Sequence, residues 1–191
     1  MRKRVAICGG LRAGKSEASS YLSTYYNFER ESFGADLKRT FHEMFPDVPP
    51  NPKPVSDYVW WGQTLRERDP DVWVKRVDAR VNARFVDMYF GRHIVIDDLR
   101  QPNEYDWCVA NGFTIVRINA DPGARLSRAM KTDVISEENL TKPTELHFDT
   151  FDVDYELYND WDIAHLYSQL DDVMEALGIE KQRIDPSPDF R

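Results

Sequence analysis

Gly9-Gly10-Leu11-Arg12-Ala13-Gly14-Lys15-Ser16 sets two glycines five positions apart and follows the second with a lysine and a hydroxyl. Glycines let the backbone curl so tightly that successive N–H groups face inward, and such a ring of amides suits phosphate oxygens. A helix starting at the second glycine adds its positive end. Lys15 would then place a point charge beside the β- and γ-phosphates of a nucleoside triphosphate, and the Ser16 hydroxyl would ligand Mg2+. Gly10, Arg12, Ala13, Gly14, Lys15 and Ser16 are the candidate contacts to the phosphates of ATP.

Ile94-Val95-Ile96-Asp97-Asp98-Leu99-Arg100 carries acids at the end of an apolar run. An acid at the end of a buried strand beside a phosphate loop can hold Mg2+ through water. Asp98 is the first choice for that role, and a strand boundary shifted by one residue selects Asp97 instead. Phosphoryl transfer needs charge compensation more than covalent help, and Arg12, Lys38, Arg66, Arg68, Arg100, Arg125 and Arg128 fall at loops or helix ends. Arg125 and Arg128, three apart, would share a helix face. Lys75, Arg76, Arg80 and Arg84 are assigned to the solvated face of a long helix. Trp60-Trp61-Gly62-Gln63 and Trp73 read as an aromatic group around a turn, serving the core more readily than a base. The sequence holds no G-x-S-x-G element, dinucleotide G-x-G-x-x-G or paired catalytic cysteine and histidine.

The elements that must position these residues follow from the pattern. Arg4–Cys8 is an apolar run ending at glycines, as a buried parallel strand would. After Gly14, residues Ala18, Tyr21, Leu22 and Tyr25 recur at helical spacing. Phe28–Phe33, His93–Asp97, Phe113–Ile118 and Val153–Tyr158 read as further strands. Asp36–Phe45, Asp71–Tyr89, Asn103–Asn111, Asp121–Lys131 and a last segment through Ile163, Leu166, Leu170, Val173, Met174 and Leu177 read as helices. Five of the eleven prolines fall between Pro46 and Pro54, which makes that stretch a surface excursion. Residues 132–151 lack a clear period, and the chain from 179 reads as a loosely held tail. Alternating strands and helices imply a parallel sheet with right-handed crossovers in a three-layer α/β domain. Ligands of such sheets bind beyond the carboxyl ends of the strands, where the residues above cluster.

The chain has 191 residues with 25 basic and 33 acidic side chains, a formal charge of −8. That length suits one domain with a sizeable core. The net negative charge disfavours nonspecific duplex binding, and no apolar run approaches the roughly 18 residues of a membrane span. Cys8 and Cys108 are the two cysteines, and the four histidines form no metal-type pair. A reducing cytoplasm is the expected location, and metal would arrive with a substrate.

These residues together resemble the bacteriophage-type deoxynucleoside monophosphate kinases, within the P-loop nucleotide kinases. The resemblance rests on Cys8–Ser16, on Ser32-Phe33-Gly34-Ala35-Asp36-Leu37-Lys38, similar to the family's S-F-A-D-x-L-K, and on Trp61-Gly62-Gln63-Thr64-Leu65-Arg66 followed by Asp71–Val74. Ile96-Asp97-Asp98-Leu99-Arg100-Gln101-Pro102-Asn103-Glu104 is similar to the family's I-S-D-V-R-F-P-N-E, and Tyr155–Asn159 to its late strand ending in Asn. Gln101 stands where the family has an aromatic, Asp97 adds a second acid, and the Pro46–Pro54 loop is unusually rigid.

The resemblance implies a three-layer α/β/α P-loop kinase fold with a parallel, roughly five-stranded sheet. It adds a nucleoside-monophosphate-binding part at about 32–90 and a lid at about 125–151. It places Asp36, Lys38, Trp61, Gln63, Arg66, Arg100 and Glu104 near the acceptor, Ser16 and Asp98 near Mg2+, and Lys15, Arg100, Arg125 and Arg128 at the transferring group. The expected reaction moves the γ-phosphoryl group of ATP to a (d)NMP, giving (d)NDP and ADP. Its partners would be these small nucleotides, with the chain a monomer or homodimer in the cytoplasm, a host's if the source is viral. Alternatives are a P-loop kinase for another phosphorylated acceptor, such as phosphomevalonate or dephospho-coenzyme A, and a non-catalytic ATP-binding module.

Overall fold

The computed structural model describes residues 2–83, 91–132 and 147–182. Five strands form one wholly parallel sheet: β1 (Arg4–Cys8), β2 (Phe28–Glu31), β3 (His93–Ile96), β4 (Thr114–Asn119) and β5 (Tyr155–Tyr158), in the spatial order β2-β3-β1-β4-β5. Val5 pairs with Val95 of β3 and with Thr114 of β4, so β1 is the central strand. The order reverses at β1, and the crevice at such a switch point is where doubly wound sheets bind ligands.

Period-two alternation sorts the side chains into two apolar layers. Val5 and Ile7 point to one face, with Val95, Val116, Ile118 and Leu157. That face is covered by α1 (Lys15–Tyr25) through Ala18 and Leu22, and by α7 (Ile163–Ala176) through Leu166, Leu170 and Met174. Ala6 and Cys8 point the other way, with Ile94, Ile96 and Ile115, under α4 (Val72–Ala83) and α5 (Pro102–Ala110). The architecture is thus helix, sheet, helix. Both cysteines are buried apolar residues, and burial pushes the Cys8 thiol up to about 11. No helix among the described residues is long and apolar enough to cross a membrane.

Two expectations are corrected. The aromatic stretch around Trp60 is no turn but the interior of α3 (Val55–Arg68), which follows α2 (Gly34–Met44). Gly62 is the only buried residue of α3, so the helix has no apolar stripe to read. It packs on α2 at closest approach: Leu37 Cδ1 would lie 2.7 Å from a β-carbon at Gly62. Trp73 is buried as a core residue, whereas Trp60 is exposed. The second correction is Arg80, assigned to the solvated face of α4. Its guanidinium reaches Glu31 at 3.0 Å, the carbonyl of Ser32 at 2.9 Å, and Asp36.

The helix read over Asp121–Lys131 is α6 (Pro122–Thr132). The start of the expected tail is anchored: Ile179 is buried, Gln182 donates its N–H to Tyr25 O at 2.7 Å, and Lys181 pairs with Asp171. Residues 84–90 of the predicted long helix, residues 133–146 of the predicted lid and residues 183–191 lie outside the described residues.

Candidate active site

The phosphate loop leaves β1 at Gly9 and enters α1 at Lys15. Gly9 has φ +140° and Gly14 φ +110°, a backbone that side-chain-bearing residues rarely adopt. A β-carbon at Gly9 would strike the Ile118 carbonyl, and one at Gly14 the Asn159 amide. At Gly10 it would strike the Arg125 guanidinium, which lies directly across the loop. The Arg125 Nε is buried with no hydrogen-bond acceptor among the described residues. Arg12 itself sits at φ +62°. The curled loop is thus an amide-lined cradle with a cation over it, and its donor set fits an anion.

Lys15 is 7% exposed, and its Nζ donates to Gly9 O at 2.6 Å and Gly10 O at 2.8 Å. Ser16, in the first turn of α1, is exposed. The far side of the loop is latched from β5, where Asn159 Nδ2 donates to Ala13 O at 2.8 Å. Arg128 on α6 donates to Asn159 O at 2.7 Å and to Arg12 O at 3.4 Å, so α6 and β5 brace the same turn. Asn159 is 4% exposed. Asn159 is not among the site residues expected from the sequence, where its place at the end of the late strand is the one signal for it.

The two acids after β3 have separate partners. Asp97 Oδ2 accepts from Ser19 Oγ at 2.6 Å and from Arg30 at 2.7 Å. Asp98 Oδ1 and Oδ2 accept the backbone N–H groups of Phe33 and Gly34 at 2.9 Å each. The N-cap residue of α2 supplies no side-chain cap; Asp98 supplies one from another strand, where a negative charge also suits the helix dipole. Burial pushes the Asp98 carboxyl above the ordinary range, and the nearby Asp97 adds to this against the Gly34 and Phe33 amides. Gly34 is the close-approach residue here, since a β-carbon would meet Asp98 Oδ2 at 3.2 Å and Lys38 Cε at 3.9 Å.

Glu104 completes this side. With Gln101 it forms a capping box at the start of α5, and its Oε2 accepts from Arg100 N and Gln101 N at 3.0 Å each. Its Oε1 faces Arg66 at 3.4 Å. Burial, reinforced by the charge of Asp98, pushes its carboxyl up to about 7; the two amides and Arg66 oppose the rise. Asp36 is 7% exposed and is held between Arg39, at 2.8 Å, and Arg80. Trp61 donates from Nε1 to Thr40 Oγ1 at 3.1 Å and rests its ring against Phe45. Gln63 and Lys38 are exposed.

Two groups therefore stand out at the carboxyl edge of the sheet. One is Gly10, Arg12, Ala13, Gly14, Lys15 and Ser16 with Arg125 and Arg128. The other is Asp98, Arg100, Glu104, Arg66 and Lys38. Asp36 and Trp61 are tied to neighbouring side chains on the α2–α3 flank. A separate concavity between α4 and α5 is lined by Asp71, Asp78 and Asp106 together with Lys75.

No family model matches the chain, and no curated protein matches it by sequence. Solved structures do match. TT1252 from Thermus thermophilus is 15% identical, the match covering 92% of this chain and 98% of that one with a TM-score of 0.61. An unliganded sugar kinase from Janibacter is 16% identical over 94% and 96%, with a TM-score of 0.53. Shikimate kinase from Bacteroides thetaiotaomicron is 16% identical over 92% and 98%, with a TM-score of 0.52. At these identities the likeness is one of fold. The chain has the three-layer α/β/α fold of the P-loop kinases, with five parallel strands and helices on both faces.

Proposed function

We propose that the protein is an ATP-dependent kinase whose acceptor is a (deoxy)nucleoside monophosphate. The observation that carries this reading is the pairing of an amide-lined phosphate cradle with a second cationic group beside it, across the switch point of a kinase-type sheet. The cradle suits the donor. The loop amides and Lys15 would hold its phosphates, with Arg12, Arg125 and Arg128 nearby; Ser16 would hold Mg2+ with one of the two acids after β3, Asp98 having both oxygens on backbone amides of α2 and Asp97 reaching Ser19 of α1. Bound Mg-ATP supplies the transferable phosphoryl group and neutralises part of its charge.

Arg100 and Lys38 would face the acceptor phosphate. Glu104 would act by holding Arg66, and Asp98 by fastening α2 to β3 so that acceptor and donor stay in register. An acceptor phosphate oxygen bonds to the γ-phosphorus as the bond from that phosphorus to the β-phosphate oxygen breaks, leaving ADP. A phosphate acceptor is already nucleophilic near neutral pH, so no general base is required. α6, the described start of the lid expected at about 125–151, would help to exclude water.

The test is a coupled assay of ADP release with Mg-ATP across the deoxy- and ribonucleoside monophosphates, with shikimate, phosphomevalonate and dephospho-coenzyme A alongside. Acceptor-dependent turnover with at least one nucleoside monophosphate is expected. Turnover with none of them defeats the proposal, and turnover with another acceptor replaces it.

A further inference from the structure

β2 ends at Glu31 and α2 begins at Gly34, so the chain turns from strand to helix across Ser32 and Phe33. One side chain from elsewhere holds that turn at three points. Arg80, in the last turn of α4, donates from Nε to Glu31 Oε2 at 3.0 Å and from Nη2 to Ser32 O at 2.9 Å. Its Nη1 pairs with Asp36 in the first turn of α2. A guanidinium is planar and presents its donors in a rigid fork, so strand end, turn and helix start are fixed in direction relative to one another. Asp98 takes the two amides in between, those of Phe33 and Gly34, at 2.9 Å each. Each residue from Glu31 to Gly34 is thus held by Arg80 or by Asp98.

Cohesion does not require this arrangement. Glu31 and Asp36 are each 7% exposed. Taking two carboxylates and a guanidinium out of water is costly, and apolar side chains of similar volume hold packed elements together as well or better. What the fork adds over an apolar contact is direction. The element it directs carries Lys38. Helical side chains lean toward the N-terminus of their helix, and Lys38 does so: its Cε would lie 3.9 Å from a β-carbon at Gly34, with Asp98 Oδ2 3.2 Å from the same point. The lysine stem therefore lies along the turn that Arg80 and Asp98 hold, at the carboxyl edge of the sheet.

We propose that Arg80 is a positioning residue for the acceptor, fixing the turn from β2 into α2 and with it the place of Lys38. This rests on the proposed kinase reading and deepens it. Arg80 acts through α2, since its partners Glu31, Ser32 and Asp36 all lie outside the phosphate cradle. The cradle is braced instead from β5 and α6, by Asn159 and Arg128. The two substrates therefore respond differently to the loss of Arg80: acceptor binding weakens and donor binding does not.

The experiment compares wild type, Arg80→Lys and Arg80→Met. Lysine keeps the charge and loses the fork; methionine loses both, while Asp36 retains Arg39 at 2.8 Å. Four quantities are read: melting temperature, calorimetric affinity for a non-hydrolysable ATP analogue with Mg2+, amide hydrogen exchange, and the KM of each substrate. Arg80→Lys stays folded and binds the analogue as wild type does. Its Phe33 and Gly34 amides exchange faster, while those of β1 and β4 do not. Its acceptor KM rises roughly 10- to 100-fold, the scale of a misplacement of about 1 Å, at an unchanged ATP KM. Arg80→Met moves both readouts further the same way, and where it fails to fold Arg80→Lys alone decides. A folded Arg80→Lys in which either the two amides or the acceptor KM stay at the wild-type value overturns the proposal. An equal rise in both KM values also overturns it, by marking a merely structural residue. A wild type that binds the analogue but turns over no nucleoside monophosphate defeats the kinase reading itself, and the positioning role with it.

Discussion

Replacing Glu104 with glutamine should raise stability above neutral pH and leave it unchanged in acid. The side chain is buried, and its pKa rises from 4.5 to about 7 on folding. Burial is the largest cause, with the charge of Asp98 adding to it. An acid that holds its proton more tightly when folded stabilises the fold below its unfolded pKa, and loses that contribution as pH rises through the folded value. The loss corresponds to about 3 kcal/mol between pH 4.5 and pH 8. A chain of this size shifts its melting temperature by roughly 2–4 °C per kcal/mol, so the loss amounts to roughly 6–12 °C. Glutamine keeps the shape and an acceptor oxygen but cannot ionise. Wild type and Glu104→Gln should melt together near pH 4.5 and separate steadily up to pH 8, with the variant the more stable. The Asp98 carboxyl, also raised, is coupled to Glu104 through their charges, so the difference between the curves reads Glu104 together with that coupling. Parallel curves, or a wild type that gains stability relative to the variant as pH rises, would refute the reasoning. In activity, the variant should show a higher acceptor KM at pH 8, because Arg66 loses its ionised partner.

Lys15→Met should lower turnover by orders of magnitude and also lower the melting temperature, because Gly9 O and Gly10 O lose a buried donor; unchanged turnover removes the donor assignment. Asp98→Asn should cost about 1–3 kcal/mol, because an amide NH2 cannot accept a backbone N–H and one amide at the start of α2 loses its partner. Asp97→Asn should be milder, and a titration of Mg2+ against turnover identifies the metal acid as the one whose amide variant needs more Mg2+. Equal and negligible effects exclude both. Asn159→Ala leaves Ala13 O without its buried donor, so denaturant melts should show a loss of about 1–3 kcal/mol together with weaker ATP-analogue binding; retention of both would show that the latch does not shape the cradle.

The middle of the sheet was legible because β1, β3 and β4 are short apolar runs, with Val5 and Ile7 facing one layer and Ala6 and Cys8 the other. The phosphate loop was legible because its glycines answer to backbone geometry, and local geometry is written locally. The helix α3 was hidden, since it buries only Gly62 and so shows no periodic face. Pairings across long stretches of chain were hidden for another reason. Arg80 meets Glu31 49 positions away, and Asp98 caps a helix 65 positions upstream. In both cases the side chain's type is compatible with solvent, and only the fold supplies its partner.

The central claim is that a γ-phosphoryl group held by the phosphate loop passes to an acceptor phosphate beside it. ATP labelled in its γ-phosphate, incubated with Mg2+, the protein and the panel of nucleoside monophosphates, reads this directly. The label should appear in the β-phosphate of a nucleoside diphosphate, one mole for each mole of ADP formed. Label that remains in ATP, or that emerges only as inorganic phosphate whatever acceptor is present, would contradict the account.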